Sequence, residues 1–490
     1  MASVNRQSLR GEFTALQDRF GQLSTDGKIG AESGALIEAL LMLLRVLMAI
    51  FLEKTTPKTS ANSSKPSSQT PKDESALGRE GAHTKGKATD AGRSANTRTV
   101  ETVTVSKVPF CETCGEDLRG RRPLGHERRT RIDIVFEKVV THVDAEIKSC
   151  PHCETETRGA FPETFSGPVQ YGAGVKAYVL NLVIAQMVSL KRAQQSLQSL
   201  IGLMLSEATI LKYVMQLHQA LARWEQGAIA RLLTLPALHV DETSLRVDKR
   251  NHRIHVCSGG DVTLKFVHPK RGLDATLSAA WLMTAIGIIP RYGGVLIHDC
   301  WASYLSYDHC GHGLCGAHLL RELAFIHEAN GYAWAQNMRR LLRQTCHRVS
   351  QRSRKRLTPR EYDALQKRYR NILTRGAQEL PPIPARPNGQ RGRIAKSDAH
   401  NLWERLKEHE TAVLLFARDA NVPFTNNRAE RDLRMSKVKQ KVSGCFRKVE
   451  YAEAYCRISS YLQTMANRGY NPLVAIQMAL SGELYAEPGE

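Results

Sequence analysis

The sequence predicts a multidomain α+β protein, and three observations carry that expectation. At 490 residues the chain exceeds what one hydrophobic core usually supports. Apolar residues near the N-terminus recur with helical spacing, whereas after Pro236 they alternate with the period of two that marks strands. Between these regions lie two Cys-x-x-Cys pairs, the mark of a small domain built around thiolates. The content of 42% hydrophobic and 24% charged residues is ordinary for a globular chain. The formal charge of +21 is not, and it points to a polyanionic partner.

Residues 1–53 are expected to form a helical, zipper-like segment. Leu9, Phe13, Leu16, Phe20 and Leu23 step by 4, 3, 4, 3, and after "STDGKIG" the steps return at Leu36, Leu40, Leu43, Leu47 and Ile50. A parallel row, Ile37, Leu41, Leu44, Met48 and Phe51, gives the second helix two apolar faces. That suits a helical hairpin that self-associates; a pair of core helices in a monomer is the alternative. The 17-residue run "LIEALLMLLRVLMAIFL" contains Glu38 and Arg45 and falls short of the ~20 residues a spanning helix needs, so no membrane is expected. The first thirty residues lack the apolar stretch of a secretory signal. The eleven cysteines, two pairs of them in Cys-x-x-Cys spacing, suggest metal ligation in a reducing, cytosolic setting rather than disulfides. Residues 54–106, rich in Ser, Thr, Lys and Gly, read as a flexible linker.

In 107–165, "CETC" and "CPHC" offer Cys111, Cys114, Cys150 and Cys153. Two knuckle-like turns with four thiolates suit a tetrahedral structural Zn²⁺. Between them "RIDIVFEKVVTHVDAEI" alternates as strands do. Residues 166–232 read as helices. An amphipathic helix, Gly202 at a turn, then Ser206 as N-cap with Glu207 in the first turn resembles helix-turn-helix, a DNA-reading unit. Helix–Gly–helix is also common in plain bundles, and Lys212 is the one cation on the second helix.

From 233 the pattern is strand ("ALHVDETSLRV"), strand ("HRIHVCS"), strand ("DVTLKFVH"), helix ("ATLSAAWLMTAIG") and strand ("GGVLIHDCWASY"). That order, with acids on the first and fourth strands, is that of a ribonuclease-H-like core, in which those two strands are parallel neighbours. Asp241 and Asp299 would then stand side by side. Adjacent buried carboxylates repel unless a cation lies between them, and hard oxygen ligands select Mg²⁺ or Mn²⁺. A third acid is needed, and Glu430 in "FTNNRAERDLRMSKVKQKVSGCFRK" is the candidate. Thr425 or Asn426 would cap its helix and put Asn427, Glu430, Arg431 and Arg434 on one face. The bland reading of Glu430 is an i,i+4 pair with Arg434, worth ~0.3–0.5 kcal/mol.

"HVDET", "GVLIHDCWASY", "LCGAHLLRE" and the block around Glu430 resemble the signature blocks of DDE transposases of the insertion-sequence-66 family. So do the zipper-like N-terminus, the linker "SSKPSSQ", the paired Cys-x-x-Cys and the closing "RISSYLQTMANRGYNPLVAI". The resemblance implies Asp241, Asp299 and Glu430 as the catalytic, metal-holding acids, with two Mg²⁺ (or Mn²⁺) ions serving phosphoryl transfer on DNA. It departs from the family at Cys300 and Trp301, where many members carry a smaller residue after the acid. Residues 233–310 would begin the core, 311–410 would be a mainly helical insertion, 411–475 would return the third acid, and 476–490 would be a tail.

Within the insertion Cys315 and His318 share a helix face, and either pack as core and site edge or bind metal; the basic "RQTCHRVSQRSRKRL" is a solvated face or a phosphate track. Arg428, Arg431, Arg434, Lys437, Lys439 and Lys441 would neutralise DNA phosphates around the cut. The expected partners are double-stranded DNA at element ends and target, further copies of the chain and small accessory proteins. The rival readings are a zinc-containing DNA-binding regulator and a nuclease of the same fold without strand transfer.

Overall fold

The computed structural model describes residues 6–59, 61–63, 102–132, 134, 136–269, 288–383 and 396–483. Its strands in chain order are β1 (Ile147–Ser149), β2 (Glu156–Arg158), β3 (Ala237–Val247), β4 (Arg250–Gly259), β5 (Val262–His268), β6 (Val295–His298) and β7 (Gly311–Leu314). The helix expected at "ATLSAAWLMTAIG" lies outside the described residues. The fold is mixed α+β, with a five-stranded sheet and many helices. It divides into two compact units, Met1–Lys87 with Glu225–Lys437 and Ala88–Trp224 with Val438–Glu490.

The first unit carries the sheet, ordered β5-β4-β3-β6-β7. β3, β4 and β5 form an antiparallel meander, and β6 and β7 run parallel to β3. β4 has only a short turn back to β3, where Asp248 and Lys249 both take positive φ (47° and 60°), the primed-turn geometry of a two-residue hairpin. β7 corrects the expectation that a helix runs through residues 311–314 and that the insertion starts there. "GHGL" is too short and Gly-rich to show strand alternation, and its partner β6 decides its conformation.

Five helices follow: Gly316–Asn330, Ala333–Gln351, Pro359–Glu379, Asp398–Glu408 and Glu410–Arg418. Their shared core buries Trp334, Tyr369, Leu402 and Leu414 together with Ile297 of β6 and Leu314 of β7. A capping box between Thr358 and Glu361, with Pro359 opening the helix, sets one N-terminus. Gly376 lets a helix approach Trp334, since a Cβ there would lie 2.8 Å from the indole ring.

The N-terminal helices span Arg6–Thr25 and Ala31–Thr55. On the second, Leu41, Ala49 and Leu52 are buried, whereas Leu36, Leu40 and Leu47 are 73%, 58% and 63% exposed. Its 25 residues make it long and apolar enough to cross a membrane by length and composition. Its C-terminal end is docked on protein: the buried Glu53 accepts hydrogen bonds from the backbone N–H groups of Asp398 and Ala399, capping that helix, and from Asn330. The chain stays packed into the start of the expected linker, where Asn62 is buried and donates to Glu328 at 2.6 Å.

The second unit contains the helix-turn-helix-like element as expected. The Leu190–Ile201 helix ends at Gly202 with φ +65°, and Ser206 Oγ accepts from Thr209 N–H to open Glu207–Ala220. Helices Val449–Asn467 and Pro472–Ser481 belong to this unit, so residues 438–475 group here rather than with the catalytic core to which they were assigned. Trp224 meets Tyr461 edge-on at 5.2 Å, and Arg457 donates to the His218 carbonyl at 3.1 Å. The strand pattern expected across 131–147 is realised only at its end: among the described residues of that segment just Ile147 is in a strand, because β2 is the one partner and it pairs with Ile147–Ser149.

Candidate active site

β3 is the middle strand, and its parallel register with β6 pairs His239 with Ile297. Two residues further along the same alternation, Asp241 falls opposite Asp299, which stands just past the end of β6. Burial pushes the Asp241 carboxyl up to about 7; the Glu242 N–H, donating to it at 2.8 Å, opposes that rise, and the charge of Asp299 adds to it. A carboxylate desolvated beside a second acid is what a divalent cation relieves. Asp299 Oδ1 accepts from Trp301 N–H at 3.2 Å. The chain turns sharply between them, with Cys300 at φ +72° and its N–H given to His298 Nδ1 at 3.1 Å. A non-glycine residue in that region is strained, and strain of this kind collects at functional sites. The departure at Cys300 and Trp301 therefore leaves the acid in place on a tight turn. Glu242 faces away and accepts from Tyr304 Oη at 3.0 Å.

Glu430 lies in the first turn of the Asn427–Ser443 helix. The cap expected from Asn426 is corrected: its carbonyl accepts from Glu430 N–H at 3.4 Å, but its side chain turns to β3. Asn426 Nδ2 donates to Val240 O at 2.8 Å, which assigns its Oδ1 as acceptor for His239 Nδ1–H at 2.9 Å. Its own N–H donates to Cys315 Sγ at 3.1 Å. Asn426 thus pins the helix of the third acid to the strand of the first. Gly316 makes room for the approach of this segment: it donates to Phe424 O at 2.8 Å, and a Cβ there would collide with the Phe424 ring.

Glu430 does not pair with Arg434. Its Oε1 lies 3.6 Å from His318 Nδ1 and 4.0 Å from Arg321 Nη2, and neither Glu430 Oε1 nor His318 Nδ1, both buried, makes a hydrogen bond. His318 feels the charges of both Glu430 and Asp299, although desolvation leads and lowers its pKa. The other acid of this stretch, Asp432, is buried and accepts from Ser258 Oγ at 2.6 Å and Thr263 Oγ1 at 2.9 Å, fastening the helix to β4 and β5.

Of the six cations expected to meet DNA, Arg431, Arg434, Lys437 and Lys441 are exposed. Lys437 stands near enough to Asp241 to lower its pKa. Arg428 is partly buried and donates to Gly260 O at 2.7 Å and Val262 O at 3.1 Å, so it braces the sheet. Lys439 is 9% exposed, and burial lowers its pKa. Lys439 is thus buried, and Arg428 is engaged with the sheet.

The two Cys-x-x-Cys turns share one geometry. Cys111 N–H donates to Glu116 O and Gly115 N–H to Cys111 O, both at 2.9 Å; Cys150 N–H donates to Thr155 O at 3.0 Å and Glu154 N–H to Cys150 O at 2.8 Å. Gly115 and Glu154 both take positive φ, 75° and 55°. Hydrogen bonding from Cys114 N–H and Thr155 Oγ1 heads the causes that hold the Cys111 and Cys153 thiols below their usual pKa. The four sulfurs are not gathered into one ligand set. Among the described residues the one such set is Cys315, His318 and Glu430.

The profile described as "Transposase IS66 family" matches residues 168–454, more than half of the chain. The chain belongs to the IS66 transposase family. A search of the curated proteins finds none that matches. Membership makes this IS66 chain a transposase, an enzyme that cuts DNA, and the matched span runs from the helix-turn-helix-like element through β3–β7 to the Glu430 helix. His239, Asn426 as a strand anchor, Tyr304 and Asp432 had no signal in the sequence, because each acts through a partner that is remote along the chain.

Proposed function

We propose that this transposase cuts and joins DNA by a DDE mechanism in a ribonuclease-H-like core, with Asp241, Asp299 and Glu430 as the three acids. What supports this reading is the β3–β6 register, which carried two residues past His239 and Ile297 would set Asp241 level with Asp299, together with the Asn426 hydrogen bond that ties the Glu430 helix to β3. The donor chemistry fits divalent ions: two hard carboxylates held together, and a third with a buried oxygen that makes no hydrogen bond. Mg²⁺ or Mn²⁺ bound there would polarise the scissile phosphate and stabilise charge on the leaving 3′ oxygen.

Asp241 and Asp299 would hold the phosphate-binding ions from the sheet, and Glu430 would close the set from its helix. Arg431, Arg434, Lys437 and Lys441 would neutralise the backbone around the cut, giving salt-sensitive and sequence-independent affinity. Water as first nucleophile would free a 3′-hydroxyl at the element end, and that hydroxyl would then attack the target strand. End recognition would fall to the 166–232 helices, with the Cys111/Cys114 and Cys150/Cys153 turns supplying thiolates for structural Zn²⁺. The exposed Leu36/Leu40/Leu47 row would join copies of the chain.

The test compares wild type with Asp241→Asn on labelled element-end duplex in Mg²⁺, scoring binding and nicking separately. Normal binding with no nicking by the variant is the expected result. Nicking by the variant at the wild-type rate would remove Asp241 from the mechanism, and binding without cutting by the wild type would favour a DNA-binding regulator.

A further inference from the structure

We propose that Cys315, His318 and Glu430 form a second metal site, one that takes a borderline ion of the Zn²⁺ class. The three side chains come from two segments more than a hundred residues apart: Cys315 caps the Gly316–Asn330 helix, His318 lies in its first turn, and Glu430 lies in the first turn of another helix. Their donor atoms Sγ, ring N and carboxylate O all lie within 4.8 Å of one another. Zn–ligand distances of about 2.0–2.3 Å put tetrahedral ligands about 3.3–3.8 Å apart. His318 Nδ1 and Glu430 Oε1, at 3.6 Å, already meet that spacing.

Two of the donors are also buried without hydrogen bonds, a costly state that coordination would end. Two neighbouring groups bear on the site. Burial holds the Cys315 thiol above its usual pKa and the Asn426 N–H on Sγ opposes that rise, while Arg321 Nη2, 4.0 Å from Glu430 Oε1, is the cation a metal would supplant. Coordination would release the Cys315 proton to solvent. A soft sulfur and an imidazole nitrogen distinguish this set from the all-oxygen pair Asp241 and Asp299, which suits Mg²⁺. Three protein ligands leave a fourth position open for water.

The site shares Glu430 with the DDE reading but takes Cys315 and His318 from outside it, and its test needs no catalysis. Full-length wild type, Cys315→Ser and Glu430→Gln are dialysed against Zn²⁺, and bound metal is counted; Co²⁺ titrations then follow the thiolate-to-metal absorption. Each variant is expected to bind one ion fewer than wild type, or to bind it with affinity lower by at least the upper end of the ~10–100-fold range that outer-shell changes cause. Cys315→Ser should also lose absorption in proportion to one thiolate, while the Cys111–Cys153 turns keep theirs. Should Cys315→Ser fold poorly by circular dichroism, His318→Gln, which leaves Asp241, Asp299 and Glu430 in place, decides instead. Unchanged zinc content and an unchanged cobalt spectrum in the folded variants would overturn the proposal.

Discussion

Glu430 and Asp432 stand two residues apart on one cationic helix and meet opposite fates. Asp432 is 2% exposed and holds two hydroxyl donors, Ser258 and Thr263, whereas Glu430 keeps a buried oxygen with no hydrogen bond. One carboxylate is spent on holding the helix to the sheet; the other faces His318 and Arg321 at 3.6 and 4.0 Å.

Replacing Asp432 by Ala should therefore cost about 2–4 kcal/mol, because two buried hydroxyls lose their acceptor and Arg428 its nearby charge. Glu430→Gln should change stability by less than about 0.5 kcal/mol while abolishing nicking. Denaturant melts of both variants, read beside a nicking assay, would show the crossing pattern. Equal destabilisation would mean that Glu430 is structural.

Asp241→Asn is expected to raise the melting temperature of the metal-free protein at pH 8. With its carboxyl pushed up to about 7, ionisation of Asp241 in the folded state works against stability above the usual carboxylate range, by an amount on the order of a few kcal/mol at most. The neutral amide removes that cost. A lower melting temperature would show that the carboxylate supports the fold.

Asn426→Ala should loosen the junction between the Glu430 helix and β3. Val240 O and His239 Nδ1 lose their partner, a cost of about 1–3 kcal/mol, and nicking should fall with DNA binding retained. Hydrogen exchange of the first turn of the Asn427–Ser443 helix would report the loosening directly.

His218 sets a pH dependence in its own unit. Burial first, and then the charge of Arg457, lower its pKa to about 4. Between about 4 and the ordinary value near 6.5 the unfolded chain binds more protons there than the folded one. Stability should be complete above about 6.5 and decline as pH falls toward 4. His218→Gln should flatten that decline in thermal melts across the window; an unchanged slope would assign it to other groups.

The apolar row of the second helix predicts self-association. Leu40→Glu with Leu47→Glu should leave the fold intact, since both residues are exposed, and shift sedimentation toward a smaller species. No change in mass would place this row against something other than a second copy.

Local chemistry made much of the chain legible. The period-two segments became β3, β4 and β5 within a residue or two, and Ser206 with Gly202 set a helix end and a helix start, because capping and alternation act over a few residues. Both Cys-x-x-Cys turns likewise appear as matching knuckles. By itself the sequence determined the two N-terminal helices, the strand order of the core, the basic character of the Glu430 helix and the family. Only the tertiary structure decided that "GHGL" is a strand, that Lys439 is buried and Arg428 braces the sheet, that residues 438–475 group with the helices before Glu225, and that Glu430 faces Cys315 and His318. The physical reason is common to all four. A strand without alternation, a lysine in a cationic run and an acid on a helix are each defined by what packs against them, and those partners lie outside the segment itself, beyond the reach of any local pattern.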